Sequence, residues 1–300
     1  MKLSDHWLRE WVNPDLNPAE LGHVLTMAGL ELDSLEPAAP AYSGVLVGHI
    51  TAIEQHPDAD KLRVCQVEYG QNETIQVVCG APNAAAGMKV PFATVGANLP
   101  GGLKIKKAKL RGVESFGMLC SAKEIGLADS AEGLLVLPED APVGEDFRNW
   151  LDLDDQVYDI DLTPNRADCL SVSGIARETA LLTSASLNAV SMDPVPSSCD
   201  DFVPVNVEDS QSCPRYAGRV IRGVNAAAET PLWMQERLRR SGIRSINVIV
   251  DITNYVMIEL GQPMHAFDMA RLSGDIVVRQ AVEKEKLTLL DGQEIEVQAD

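Results

Sequence analysis

Apolar and polar positions alternate with different periods along this chain, and the changes of period divide it. In residues 1–36, Leu21, Val24, Leu25 and Ala28 recur at helical spacing. Asn17 is placed to cap that helix, Pro18 fits its first position and Gly29 stops it. The spacing therefore predicts a small α/β unit, ending in the Pro/Ala/Gly-rich stretch EPAAPAYSG at 36–44.

From Val45 the period shortens. VLVGHITAIEQ, LRVCQVEYG and ETIQVVCG read as strands, the last two joined by a turn over Gly70 to Asn72. KVPFATVGANLPGG and KIKKAKLRG follow as further strands. Five short β-branched runs with Gly/Pro turns and one small insert, GAPNAAAG at 80–87, fit a compact barrel of the OB type. If 104–111 is one strand, Lys104, Lys106 and Ala108 share one face, and Lys107, Lys109 and Arg111 the other. Lysines on both faces place it at an edge or lip. Segment 128–168 reads as acidic and loop-like.

Beyond it, 171–185 reads as a helix with Ile175, Thr179 and Leu182 on one face, and DPVPSSCDD at 193–201 as a linker. Thr230-Pro231 opens a helix that ends at Gly242, and Ile249, Ile252, Val256 and Leu260 line another that stops at Gly261. Strands at 287–290 and 294–297 are joined by Asp291-Gly292, a type I′ hairpin signal. The chain stops at Asp300 just after a strand, and the expectation is a piece of a longer protein.

Composition changes this picture at one point. The 300 residues carry a formal net charge of −19, which argues against general nucleic-acid binding. The charge is uneven, however. Residues 41–127 hold nine Lys/Arg and seven Asp/Glu, a net of +2, so the remainder carries −21. Lys104, Lys106, Lys107, Lys109 and Arg111 form a basic ribbon, either a charged edge that resists aggregation or a phosphate-contacting rim. Six cysteines without short ligand spacing argue for reduced thiols in a cytoplasmic protein and against a zinc site. No apolar run is long enough to span a membrane. HPDADKL at 56–62 packs an imidazole and two carboxylates together, read here as a turn with Asp58 and Asp60 bonding local amides rather than as a metal site.

Taken together, HPDADKLRVCQV, VVCGAPNAAAGMKVPFATVGANLPGG, KIKKAKLRGVESFGMLCSAKEIGL and EGLLVLPEDAPVG resemble the EMAP-II type of tRNA-binding OB domain. That resemblance implies tRNA contact by shape and backbone. The positions it carries over are Lys61, Asn83, Lys106, Arg111, Ser115 and Ser121, and the ribbon adds Lys104 and Lys107. Cations and small hydroxyls around Gly-rich loops suit phosphate and 2′-hydroxyl contacts.

The flanks MKLSDHWLREWV, TMAGLELDSL, VYDIDLTPNRADCLSVSGIARETA and SGIRSINVIVDITNYVMIELGQPMHAFD resemble the bacterial phenylalanine–tRNA ligase β-subunit family. The resemblance implies an α+β, multidomain fold. In it, 1–38 and 152–195 form one discontinuous α/β domain, an OB-fold β-barrel at 39–151 is inserted into it, and 200–300 begin a mixed α/β editing domain of the B3/B4 type. It also implies an α-subunit partner in a heterotetramer of two α and two β chains. ATP and Mg2+ act in the ligase reaction on that subunit, with no metal ligands and no aminoacylation residues in 1–300. DNA and membrane partners are not expected.

Arg244, Asn247 and His265 interrupt an apolar stretch and are the editing candidates for hydrolysis of wrongly attached tyrosine. The carboxylate that accepts the tyrosine hydroxyl in that family is expected beyond Asp300. The corner DLTPNRADCLS at 161–171 is either a polar helix cap or a surface for the partner subunit. Two other readings stand beside the ligase: a free-standing, chaperone-like tRNA-binding OB protein, and a scaffold whose OB domain barely touches RNA.

Overall fold

The computed structural model describes residues 1–71, 73–188, 190, 192–289 and 292–298. Two compact units account for them: 1–190 with 229–264, and 191–228 with 265–300.

The first unit begins with β1 (Lys2–Ser4) and α1 (Asp5–Trp11). Ser4 caps α1 by accepting from the Trp7 amide at 3.1 Å. Then α2 (Pro18–Met27) forms where the spacing predicts it, held by a reciprocal capping box between Asn17 and Glu20. β2 (Glu31–Pro37) follows.

A second sheet is built from β3 (Ser43–Gln55), β4 (Arg63–Glu68), β5 (Ile75–Cys79), β6 (Lys89–Leu99), β7 (Leu103–Lys104) and β10 (Gly117–Leu119). Its order is β10-β6-β3-β4-β5, with β7 on β6 and every pairing antiparallel. The 13-residue β3 shifts register at Ser43/Val45 and at Ile50/Ala52. Such bulges bend a strand, so that one strand serves two neighbours at different angles. The Phe116 amide donates to Gln76 O at 2.9 Å, which brings the far edge β5 against the segment before β10. Ile50, Cys65, Val67, Val77, Val90 and Phe92 fill one core of this sheet. Val45, Val47, Leu99, Cys120, Ile125, Phe147 and Leu153 fill another.

The ribbon KIKKAKLRG is not one strand, contrary to the sequence reading. Ile105 turns inward, 7% exposed, and still exchanges backbone hydrogen bonds with Gly96 and Ala97 of β6, but Lys106 and Lys107 carry the chain off that strand to β8 (Ala108–Leu110). β8 pairs instead with β9 (Val113–Ser115). Arg111 (φ 43°) and Gly112 (φ 90°) make a two-residue turn between them, with both central residues left-handed as a type I′ turn requires. The fifth strand of the main sheet is β10.

After α3 (Phe147–Trp150) comes β11 (Gln156–Asp161), the centre of a three-stranded antiparallel sheet ordered β1-β11-β2. Segment 128–168 is therefore not loop throughout. β11 pairs Gln156 with Pro37, and the Ala38 amide donates to Asp155 O at 2.9 Å. The chain thus leaves this sheet and returns to it at one place. α4 (Val172–Thr183) buries Ile175 and Thr179, but Leu182 is exposed.

α5 (Leu232–Arg240) and α6 (Val248–Leu260) also pack in this unit. Arg240 pairs with buried Asp155 at 2.9 Å, and Tyr255 stacks on Trp7 at 5.1 Å. α6 turns Asp251, Tyr255 and Ile258 inward together with Leu260 of the expected stripe, whereas Ile252 of that stripe is exposed.

In the second unit, β12 (Val205–Val207) runs parallel to β13 (Ile276–Val278). β14 (Glu285–Thr288) pairs antiparallel with β15 (Glu294–Val297), two residues earlier than expected on its first strand. Asn72 in one expected turn, and Leu290 and Asp291 in the other hairpin, lie outside the described residues. No described helix is long and apolar enough to cross a membrane.

Candidate nucleic-acid interface

Two of the segments that carry basic residues, the 56–62 loop and the β8–β9 hairpin, are tied together. His56, 2% exposed, joins them: its Nδ1 accepts from the Asp58 amide at 3.1 Å, so Nε2 carries the proton and donates to Leu110 O at 3.0 Å. This sets the tautomer and fastens the 56–62 loop to β8. Gln55 Nε2 completes the turn by donating to the carbonyls of Ala59, Asp60 and Leu62. The turn is therefore held by His56 and Gln55, not by the side chains of Asp58 and Asp60 as the sequence suggested. It sets Lys61 on the same rim as the turn at Arg111 and Gly112.

Lys61, Lys104, Lys106, Lys109 and Arg111 are all exposed. Among the described residues none of them is paired with a carboxylate, whereas Lys107 pairs with Glu114 at 2.9 Å and lies 4.6 Å above the Phe116 ring. A β-carbon at Gly112 would stand 4.0 Å from Asp58 Oδ2, so Asp58 and Glu114 are the counter-charges of the rim. Unpaired exposed cations supply the sequence-independent attraction that a polyanion requires.

The three polar candidates are already engaged within the chain. Asn83 Oδ1 accepts from the Leu134 amide at 2.8 Å and its Nδ2 donates to Leu134 O at 3.0 Å. Ser115 is buried; its hydroxyl accepts from the Val78 amide at 3.0 Å and donates to Gly117 O at 3.1 Å. The Ser121 hydroxyl donates to Glu124 at 2.5 Å. These residues shape the loops that carry the cations. The cluster Tyr69, Ile75, Phe92, Val95 and Phe116, which the sequence reading missed, lines a groove beside Lys107. An aromatic five residues after Arg111 was its only local signal.

The editing candidates fall on both units: Arg244 and Asn247 on the first, His265 on the second. Arg244 is exposed between α5 and α6, while the Asn247 side chain caps α6 by accepting from the Ile249 and Val250 amides. Buried Asp251 holds their loop, accepting from the Thr230 and Ser245 hydroxyls, each at 2.5 Å, and from the Ile246 amide at 2.9 Å. Burial by itself pushes the Asp251 carboxyl up, but these three donors outweigh it and leave it below the ordinary carboxylate value. His265 is exposed, with its ring centroid 6.2 Å from that of Phe267.

At the 161–171 corner, Arg166 bridges Asp168 at 3.1 Å and Glu178 of α4 at 2.9 Å, while Ser171 caps α4. That group, with Cys169, and the group Asp5, His6 and Asp155 bring ligand-type atoms within 4.8 Å of one another. Guanidinium groups already fill both: Arg166 in one, Arg9 on Asp5 and Arg240 on Asp155 in the other. Neither suits Mg2+, which needs open oxygen ligands.

Residues 45–146 match the family described as "Putative tRNA binding domain", and residues 212–300 match the B3/4 domain. The phenylalanine–tRNA ligase β subunit of Pseudomonas putida is 60% identical over all 300 residues, and that of Hahella chejuensis 59%. This chain spans 38% of the length of each of these relatives. A crystal structure of a MetRS-related protein from Pyrococcus horikoshii aligns with 34% of this chain and 86% of its own, at 29% identity and a TM-score of 0.26. The chain is thus similar along its whole length to phenylalanine–tRNA ligase β subunits, and it carries a tRNA-binding domain and a B3/4 region.

Proposed function

We propose that this chain is the N-terminal portion of a phenylalanine–tRNA ligase β subunit, which binds tRNA and contributes to hydrolysis of tyrosine wrongly attached to it. The observation that carries the reading is identity of 59–60% over all 300 residues, from the N-terminal α/β unit through the B3/4 region. A free-standing tRNA-binding protein would share only the stretch near 45–146, so the alternative is not favoured.

On this reading residues 39–151 are an OB-fold domain inserted into an α/β domain made of 1–38 and 152–195. The common exit and return at Pro37 and Gln156 supports that arrangement. Residues 200–300 open the editing domain. A separate cytoplasmic α subunit, two copies with two β chains, carries out ATP- and Mg2+-dependent attachment of phenylalanine.

Editing has a physical reason. Phenylalanine and tyrosine differ by one hydroxyl, and an apolar pocket rejects an added hydroxyl by only about a hundredfold. A second site that hydrogen-bonds the phenol discriminates far better, because phenylalanine leaves that site's polar groups unpaired. Arg244 positions the tRNA terminus and Asn247 fixes the loop beside it through its cap on α6. His265 orients water or the terminal adenosine at an ester that is intrinsically labile.

The test uses a full-length β chain carrying this sequence, assembled with its α subunit. His265→Ala should raise tyrosine-charged tRNA at least severalfold and leave phenylalanine charging nearly unchanged. Equal loss of both, or no assembly with the α subunit, contradicts the reading.

A further inference from the structure

The groove beside the basic ribbon has a composition that the rim alone does not explain. Its volume is ≈ 370 Å³, and Tyr69, Ile75, Phe92, Thr94, Val95 and Phe116 line it together with Lys107. Phe116 is fixed at two points: its amide donates to Gln76 O, and the Lys107 ammonium sits 4.6 Å above its ring. Tyr69 packs edge-on against buried Phe92, centroids 5.4 Å apart. Among the described residues its hydroxyl makes no hydrogen bond. The opening is therefore mostly apolar within, its Thr94 hydroxyl being engaged on Gly44 O, carries one unengaged phenol, and stands beside a ribbon whose exposed cations Lys104, Lys106 and Lys109 have no carboxylate partner among the described residues.

An apolar protein side chain would find apolar walls here but would gain nothing from the surrounding positive charge. An unpaired nucleobase satisfies both: its π face meets Phe116 and Tyr69, its edge reaches the Tyr69 hydroxyl, and its flanking phosphates meet the lysines. Stacking of this kind tolerates any base, because every base has a π face.

We propose that this groove seats one unpaired nucleobase of RNA, with Phe116 as the stacking platform and Lys104 and Lys106 on the flanking phosphates. The proposal rests on the tRNA-binding reading and adds to it a site for a flipped or loop base, distinct from shape recognition along the backbone. Lys107 remains with Glu114 and Phe116, and so sets the ring's position.

The experiment compares the protein with its Phe116→Leu and Phe116→Tyr variants against three probes. These are a tRNA transcript, a uridine-rich single-stranded 12-mer carrying one 2-aminopurine, and a blunt RNA duplex. The proposal expects quenching of the 2-aminopurine by the unaltered protein. Phe116→Leu should lose that quenching and bind the 12-mer roughly tenfold more weakly, while Phe116→Tyr retains both. Duplex affinity and the salt slope should stay within about twofold of the parent.

If Phe116→Leu binds the 12-mer as the parent does, the groove holds no base and is left to a protein side chain, while tRNA binding by the rim stands. Equal weakening on the duplex and the 12-mer, or loss in Phe116→Tyr as well, makes Phe116 a support for the fold and also overturns the proposal. If the parent protein binds no RNA at all, the tRNA-binding reading falls first and takes the groove with it.

Discussion

At the scale of single residues, distant partners decide what a side chain does. All six cysteines are free thiols, but burial sorts them. It pushes Cys65 and Cys120 up to about 12 and Cys169 up to about 11, and it raises Cys79 as well. At pH 8 these four are almost entirely protonated and shielded, whereas Cys199 and Cys213 are partly exposed. A thiol reagent added to native protein at pH 8 should therefore label two cysteines quickly and the other four only after denaturation. Rapid labelling of four or more contradicts the packing. The same principle separates the candidate tRNA-facing residues. Lys61, Lys104, Lys106 and Arg111 show themselves because an exposed cation needs no partner to be recognised. The internal bonds of Asn83 and Ser115 do not show themselves, because their partners lie 51 and 37 residues away. His56 is similar, since Leu110 is 54 residues off.

At the scale of elements, local signals were readable and tertiary ones were not. α2 could be placed from Asn17, Pro18 and Gly29 because its capping box lies within four residues. β11 escaped because its alternation, Tyr158 and Ile160 inward, is crowded by acids on its outer positions. KIKKAKLRG reads as one strand until Ile105 is seen to be drawn into the core beside Ala97. The buried face of α6 was misjudged for another reason: its most buried residue is a carboxylate, Asp251, which no apolar periodicity marks. Asp251 gives this element a pH dependence. Its folded value lies below the ordinary one, so it stabilises the fold fully above the unfolded carboxylate value near 3.9 and loses that contribution as pH falls through the lower folded value. Asp251→Asn should thus cost on the order of 2–3 kcal/mol at pH 7, from donors left without their charged acceptor. Its deficit relative to the parent should shrink as thermal melts are moved from pH 6 to pH 3. A deficit that stays constant, or grows toward pH 3, contradicts the assignment.

At the scale of the whole molecule, the net charge of −19 works against a polyanion at long range, and only a local concentration of cations overcomes it. Salt screens the repulsion of the remainder over about 10 Å, so contact at the rim depends on residues that touch phosphate directly. This is why the charge distribution was more informative than the total. Period and turn signals marked individual helices and strands, whereas the mixed α/β organisation and the extent of the similarity to ligase β subunits could be read only from ordered motifs on both sides of the sheet.

The most direct test of the tRNA-facing rim is the salt dependence of binding to phenylalanine tRNA, for the parent and for a variant with Lys104, Lys106 and Lys109 replaced by Ala. Three lost phosphate contacts should flatten the slope of log affinity against log salt by about 2–3. The melting temperature should hold, because all three side chains are exposed. An unchanged slope at unchanged stability would mean that the basic ribbon is only a charged edge, and would contradict the account.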